Sequence, residues 1–499
     1  MSRREGVDIW CEGGAVSAEP AEGARAGAAI LEQGGNAMDA AAAACLACAV
    51  VEPQAVDIGG YALAAVVLEG ETGRVWSVDA NTVAPMAATE DMFDTIPIGT
   101  GRPTVNELEF GCSVVDQANF YGPLAVSVPG FLGGVGVLSE RWGRLPWKAI
   151  VEPAKLIVED GIPYARVAKD VEFKRAAIER YPSSVALLMP EGVTLESPWM
   201  RPELVRTLER LGDAGWRDFY GGEIARTIAD FVQEQGGILT REDMAAFEPR
   251  ITEPIAGKYH GADIYTAIAQ NGGFSVLDGL ADLERDELRS DRDAAYWDSM
   301  AKVLTRTWAA RLADSPHSGT GWQGTIHLSA ADRFGNLVSA TITQGGLFGS
   351  CLAVPGTGII LAHGMCRFDP HPGRENSVGP GKQPLNNLCP LMIRMKDRDV
   401  AMGVRGGRRI VSVAVQLAQR IVDGGVSVYE AAVAPRIHTI NGDPLEVSAN
   451  FDPAIRQALE RLGYRTEIPY EVAGGAHGAE FYPAWRRIRA GGNIWAAGI

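Results

Sequence analysis

Late in the chain, polar and apolar side chains alternate along two seven-residue runs separated by a five-residue turn. The runs are Thr325-Ile-His-Leu-Ser-Ala-Ala331 and Leu337-Val-Ser-Ala-Thr-Ile-Thr343, and the turn is Asp332-Arg-Phe-Gly-Asn336. A period of two is that of a strand, whose successive side chains point to opposite faces, so the segment reads as an antiparallel hairpin. Pairing about Phe334 puts Thr325 opposite Thr343. One face then carries Thr325, His327, Ser329, Ser339, Thr341 and Thr343, and the other Ile326, Leu328, Ala330, Val338, Ala340 and Ile342. The second face must be buried, so the hairpin needs at least one further layer of structure against it.

Candidate layers occur early. Ala21 to Glu32 and Ala37 to Val51 read as alanine-rich helices, the first closed by Gly34-Gly35 and the second stopping before Pro53. Gly14 to Ser17 reads as a strand, and Tyr61 to Leu68 and Val75 to Val78 as two buried strands around a Gly70 to Gly73 turn. Helical stretches such as Trp147 to Asp160 and Gly222 to Glu234 fill the middle of the chain. Tyr259 to Tyr265, Gly358 to Ala362 and Leu391 to Met395 read as strands, and Ile410 to Val422 as a helix.

No Pro/Ser-rich linker or charge block divides the 499 residues, so one large mixed α and β unit is expected. A formal charge of -16 disfavours nucleic acid and anionic membranes as partners. The apolar run Ala40 to Val51 falls short of the roughly 20 residues that span a bilayer. No apolar h-region follows Arg3 and Arg4, which makes the cytoplasm the expected compartment. Seven scattered cysteines point to reduced thiols, and Cys45-Leu-Ala-Cys48, a CxxC without a second pair, to core packing. With no HExxH, P-loop or Rossmann fingerprint, no cofactor and no metal are expected.

Motifs spread along the chain carry a resemblance. Leu31-Glu-Gln-Gly-Gly-Asn-Ala-Met-Asp-Ala-Ala41 comes first, then Val51-Glu52-Pro53 and Gly122-Pro-Leu-Ala-Val-Ser-Val-Pro-Gly130. Gly236-Gly-Ile-Leu-Thr240, the hairpin with its Asp-x-x-Gly-Asn turn, Pro384-Leu385, Gly406-Gly407 and Ala434-Pro-Arg-Ile-His438 follow in order. In this set the chain resembles the gamma-glutamyltranspeptidase family. The resemblance implies a four-layer αββα N-terminal-nucleophile hydrolase fold, with a helical portion from the middle of the chain. It also implies a precursor that cleaves itself at Gly324-Thr325 into segments 1–324 and 325–499, which together form one catalytic unit. Thr325 would then be the nucleophile and its freed α-amine the base, because a hydroxyl needs such a base and an α-amine with a pKa of about 7.7–8.0 can serve. Thr343 would orient Thr325, and the N–H groups of Gly406 and Gly407 would receive the oxyanion. His327, two residues from Thr325 on the same face, reads as an orienting residue.

Departures from the family bear on specificity. The family holds the α-carboxylate of a gamma-glutamyl group with an arginine and its ammonium with an aspartate; the matching positions here are Asn81 and Arg367. An arginine at the second position repels an ammonium and attracts a carboxylate. Arg405 and Arg408 flank the glycine pair, and Asn386-Asn387 stand where the family has serines. The stretch Asp369 to Ser377 is short for a lid, so a more open entrance is expected. The expected reaction is cleavage of a small-molecule amide, with water or an amine as acyl acceptor and an acyl group that is anionic without an α-ammonium, as in oxamate, succinyl or glutaryl amides. A gamma-glutamyl hydrolase or transferase and an unprocessed, non-catalytic homologue are the alternatives. Whether processed heterodimers associate further is left open.

Overall fold

The computed structural model describes residues 3–97, 110–268, 271–286, 293–314, 324–469 and 475–499. Helices α1 (Ala21–Glu32) and α2 (Ala37–Val51) form where the alanine runs predict them. Asn36 caps α2: its side chain accepts from the N–H groups of Met38 and Asp39, and the Asp39 carboxylate accepts from the N–H of Asn36. Every residue of α2 is buried. Where α1 crosses it only small side chains fit, since a Cβ on Gly23 of α1 would lie 2.3 Å from Cys48 Sγ and one on Gly27 2.9 Å from the Ala40 carbonyl. The CxxC pair is thus packing material; the seven cysteines are buried and free, and burial pushes the Cys45 and Cys48 thiols far up.

Thirteen described strands join in one ladder. The first seven are β1 (Arg4–Cys11), β2 (Gly14–Ala18), β3 (Ala62–Leu68), β4 (Val75–Ala80), β5 (Arg250–Thr252), β6 (Ile255–Tyr259) and β7 (Ala262–Thr266). The remainder are β8 (Thr325–Asp332), β9 (Leu337–Thr343), β10 (Leu391–Arg394), β11 (Asp399–Val404), β12 (Ala476–Tyr482) and β13 (Arg487–Gly498). Their order is β6-β7-β10-β11-β12-β13-β2-β8-β9-β3-β4-β5, with β1 on β13. The long β13 is the fold line: residues 487–492 pair with β12 and residues 496–498 with β2. The ladder doubles back there into two stacked sheets, and β8 packs face to face against β11 and β12.

Helices cover both outer faces. Against one sheet, α1, α2, α3 (Phe131–Trp142), α4 (Trp147–Asp160) and the helices between residues 165 and 234 share a core with Ile326, Leu328, Val338, Ile342, Leu63 and Val67. Against the other, α5 (Gly273–Arg285), α6 (Ala294–Asp314) and α7 (Arg409–Gly424) share a core with Ile264, Leu391, Met402 and Val404. Between the sheets lie Ile9, Val66, Leu68, Met392, Ala401 and Phe481. The result is the expected αββα sandwich, with the middle helices on the hairpin's side.

The hairpin pairs in the predicted register, Thr325 with Thr343 through Ala331 with Leu337. Both of its faces are buried, the hydroxyl-bearing one between the sheets. One strand expectation needs correction: Tyr259 to Tyr265 is not continuous but the junction of β6 and β7, which pair as a hairpin. His260 (φ 43) and Gly261 (φ 85) make the turn, and the alternation on either side hides it from a period-two reading.

Candidate active site

The turn of the hairpin is locked by one carboxylate. Asp332 Oδ1 accepts from the N–H groups of Phe334 and Asn336, while Oδ2 accepts from the Asn336 side chain and from the N–H of Ala37 at the start of α2. Gly335 (φ 81) supplies the left-handed residue the turn requires. This fixes β8 against β9 along their whole length and places Thr325, 8% exposed, beside Thr343, with hydroxyl oxygens 3.2 Å apart.

The carbonyl immediately before Thr325 is held by two donors. Gly324 O accepts from the Thr343 hydroxyl and from the Gln344 N–H at 3.0 Å. Thr343 Oγ1 in turn accepts from the Gly345 N–H at 3.0 Å. A hydroxyl has one proton and two lone pairs, so with its proton on Gly324 O, Thr343 takes the Thr325 proton in the remaining position. Gly324 has to be glycine: a Cβ there would lie 2.6 Å from Gly346 N. Gln344 is itself tied down, its amide bridging the Asp57 N–H and the Ile360 carbonyl.

His327 does not contact Thr325 through a hydrogen bond. Its ring nitrogens engage Thr341 Oγ1 and Ser329 Oγ, each at 2.9 Å, and its ring packs edge-on to His477 and directly over Gly403. Complete burial holds its pKa well below the usual imidazole value, so it is a neutral strut between the sheets. That contact also orients β11. Ser339, opposite Ser329, donates to the Met402 carbonyl, and His327 covers Gly403, so β11 runs toward the Thr325 end of the hairpin. Gly406 (φ 135) and Gly407 (φ 60) follow at that end, just ahead of α7. Among the described residues neither glycine's N–H is engaged in a hydrogen bond.

Arg367 lies in the same cluster. Buried at 8% exposure, it donates from Nη2 to Gly345 O at 2.7 Å, and its guanidinium sits 5.7 Å from the centre of the Tyr61 ring. His363 packs on Gly345 and Gly346; its Nδ1 bonds the Phe120 carbonyl, and burial together with the charge of Arg367 lowers its pKa to about 3. Neither Tyr61 nor His363 stands out in the sequence, where the first reads as a buried strand residue and the second falls just beyond the strand read over Gly358 to Ala362.

Other sequence-predicted residues are partly committed to the fold. Asn81 Nδ2 donates to the Pro384 carbonyl, and Asn386 Oδ1 accepts from the Leu388 N–H, which leaves Asn81 Oδ1 and Asn386 Nδ2 without a described partner. Asn387 Oδ1 accepts from the buried Arg311, a residue of α6 that local sequence could not have linked to it. Arg405 pairs with Glu19 at 2.8 Å. The segment Asp369 to Ser377 is a compact turn closed by Arg374 on Asp369. Beside it opens a cavity of about 650 Å³ lined by residues including Met86, Phe247, Arg250, Lys382 and Leu385, and by none of Thr325, Thr343, Arg367 or Gly406.

Comparison with known proteins agrees with this geometry. The sequence profile of the gamma-glutamyltranspeptidase family matches residues 23–318 and 313–496. The Acylase ACY 1 proenzyme of Pseudomonas sp. (strain SE83) is 32% identical over 96% of this chain and 92% of its own length. The glutathione hydrolase proenzyme of Escherichia coli (strain K12) is 28% identical over 91% of this chain and 86% of its own length. Among solved structures, cephalosporin acylase from Bacillus halodurans superposes with a TM-score of 0.83 at 24% identity, covering 97% of this chain and 95% of that one. Helicobacter pylori gamma-glutamyltranspeptidase superposes with a TM-score of 0.52 at 27% identity, over 59% of this chain and 82% of that one. From fold, hairpin and profile together, the chain belongs to the gamma-glutamyltranspeptidase family of N-terminal-nucleophile hydrolases, as a divergent member.

Proposed function

We propose that the chain is a precursor that cuts itself between Gly324 and Thr325 and then works as an N-terminal threonine amidohydrolase. The observation that carries this reading is the hold on Gly324: its carbonyl oxygen accepts from Thr343 and Gln344 directly beside the Thr325 hydroxyl. Thr325 Oγ attacks the Gly324 carbonyl carbon and forms the C–O bond. Its proton passes to Thr343 Oγ1 as the Thr343 proton passes to the Gly324 oxygen, so the adduct forms without separated charge. Collapse breaks the C–N bond, the nitrogen gains a proton, and water hydrolyses the resulting ester. Segments 1–324 and 325–499 result, still interleaved in one sandwich.

In the processed enzyme the α-amine of Thr325 is the base, Thr343 orients the nucleophile, and the N–H groups of Gly406 and Gly407 receive the oxyanion. Loss of one such donor costs about 3–4 kcal/mol in other hydrolases. The acyl group is anionic and lacks an α-ammonium, as in an oxamate, succinyl or glutaryl amide, and water or an amine accepts it. Arg367 beside Thr343 supports this choice, as does the greater identity to a relative named acylase than to one named glutathione hydrolase. Asn81 and Asn386 each keep one amide atom for the acyl chain, while Asn387 and Arg405 shape the pocket from behind. The test is a panel of amides differing only in the acyl group, with mass spectrometry of acylation on the 325–499 fragment. Dicarboxylic mono-amides should acylate it, and Arg367→Ala should weaken that. Efficient turnover of a gamma-glutamyl anilide, indifferent to Arg367→Ala, would instead favour the gamma-glutamyl reading.

A further inference from the structure

Behind the scissile carbonyl, Gln344, Asp57 and Ile360 close a ring of hydrogen bonds. Gln344 Oε1 accepts from the Asp57 N–H at 3.1 Å, Gln344 Nε2 donates to the Ile360 carbonyl at 3.0 Å, and the Ile360 N–H donates to Asp57 Oδ1 at 3.1 Å. The other oxygen of Asp57 accepts from Arg201 Nη2, which also donates to the Gly358 carbonyl at 2.7 Å. Gln344 and Asp57 are fully buried and Arg201 is 2% exposed, so the attraction of the ion pair is little screened. Arg201 stands directly before the helix Pro202–Ala214, and its guanidinium lies 5.0 Å from the centre of the Trp199 ring. Asp57 and Arg201 belong to residues 1–324, and Gln344, Gly358 and Ile360 to residues 325–499, so the lock ties one segment to the other.

The backbone N–H of Gln344 is shared: Gly324 O lies 3.0 Å and Ala55 O 2.9 Å from the same nitrogen. One proton serves two acceptors, and a small tilt of that peptide gives it to Ala55 alone. We propose that Asp57 and Arg201, acting through the Gln344 side chain, are positioning residues for self-cleavage and not for later turnover. The ring grips the Gln344 amide at both its oxygen and its nitrogen, and so fixes the direction of the N–H that draws on the Gly324 oxygen as Thr325 attacks. A carboxylate suits the corner of the ring because its two oxygens serve Ile360 and Arg201 at once. After the Gly324-Thr325 bond is cut, the carbonyl under attack is the substrate's, its oxygen goes to Gly406 and Gly407, and the Gln344 N–H has no part in the reaction. This inference rests on Thr325 being the nucleophile.

The test uses Asp57→Asn in the full chain, since the single acceptor oxygen of an asparagine cannot serve Arg201 and the Ile360 N–H together. Self-cleavage should slow about tenfold, less than the loss of a whole oxyanion donor, while the variant, once fully processed, keeps kcat and KM for an anionic acyl amide within about twofold of native. Gln344→Met, which leaves the ion pair whole, should slow self-cleavage at least as much, and Asp57→Asn added to it should cost nothing further. Native-rate cleavage in either single variant, or additive losses in the double variant, would overturn the proposal. So would a fall in kcat equal to the fall in cleavage rate for Asp57→Asn, the mark of a purely structural role. Where Asp57→Asn does not fold, the cleavage rate of Gln344→Met decides by the same criterion. The two readings fail separately: Thr325→Ala that still cleaves at 324 defeats the nucleophile assignment, whereas inert Thr325→Ala with native-rate cleavage in Gln344→Met defeats only the positioning role.

Discussion

A threonine hydroxyl with a pKa far above neutrality is useful only when something adjacent takes its proton, and the proposed reaction supplies that in two stages: the acceptor would be Thr343 before cleavage and the new α-amine afterwards. Burial disfavours the charged form of the described histidines near the hairpin: His327 lies well below its ordinary value, and His363 and His477 fall to about 3. The activity profile should therefore rise once, with kcat/KM increasing through the α-amine ionisation near pH 7.7–8.0. A second limb near pH 6.5 that vanishes in His363→Asn would contradict this. At Arg367 the expected effect is larger. A hydrogen bond to a charged group contributes about 1.5–3 kcal/mol, so Arg367→Ala should lower kcat/KM for a dicarboxylic mono-amide by roughly 10- to 100-fold. An uncharged acyl amide of the same length should change little, as steady-state kinetics on the matched pair would establish.

Between elements, the closest approach that matters to the site is β8 over β11. A Cβ on Gly403 would lie 2.3 Å from the His327 ring, a rigid group already bonded at both nitrogens, so Gly403→Ala must push the sheets apart. Overpacking of this kind costs typically 1–3 kcal/mol, and denaturant unfolding should find a loss in that range, together with slower self-cleavage. Unchanged stability would mean that the sheets are less tightly coupled than the contact implies. The same interface marks where sequence reading stops. The register of β8 with β9, the caps of α2 and the asparagine and glycine of the turn are local patterns, visible in consecutive residues. That β11 faces β8, that Tyr61 lies under Arg367, and that Arg311 occupies Asn387 are contacts between segments tens to hundreds of residues apart. No period within a window encodes them. Family resemblance brought Gly406 and Gly407 forward as candidates, but not Tyr61 or Arg311.

At the scale of the molecule, four imidazoles are buried neutral: His327, and His363, His438 and His477, the last three with values of about 3. In the unfolded chain each binds a proton below about pH 6.5, while in the folded chain His363, His438 and His477 do not until near 3 and His327 not until well below its ordinary value. The unfolded state then holds more protons, so this contribution to stability is lost as pH falls from about 6.5 toward 3. Glu52, raised to about 7 by burial, has the opposite sense: its contribution is complete below 4.5 and fades as pH rises through 7. Burial raises Asp39, Asp57, Asp170 and Glu480 in the same sense as Glu52, so the imidazole contribution is read by difference: His438→Gln should flatten the change of melting temperature between pH 6 and pH 4, and an unchanged slope would contradict it. Residues 1–324 and 325–499 contribute neighbouring strands to the sandwich, β2 beside β8 and β9 beside β3, so the proposed cleavage at their junction would leave the sheets intact. The most direct test of the whole account is the mass of the purified protein and the N-terminal sequence of its smaller fragment. Fragments of 1–324 and 325–499, the latter starting at Thr325, with Thr325→Ala remaining a single chain, are the predicted result. A native chain still intact after prolonged incubation, or one cut at another bond, would contradict it.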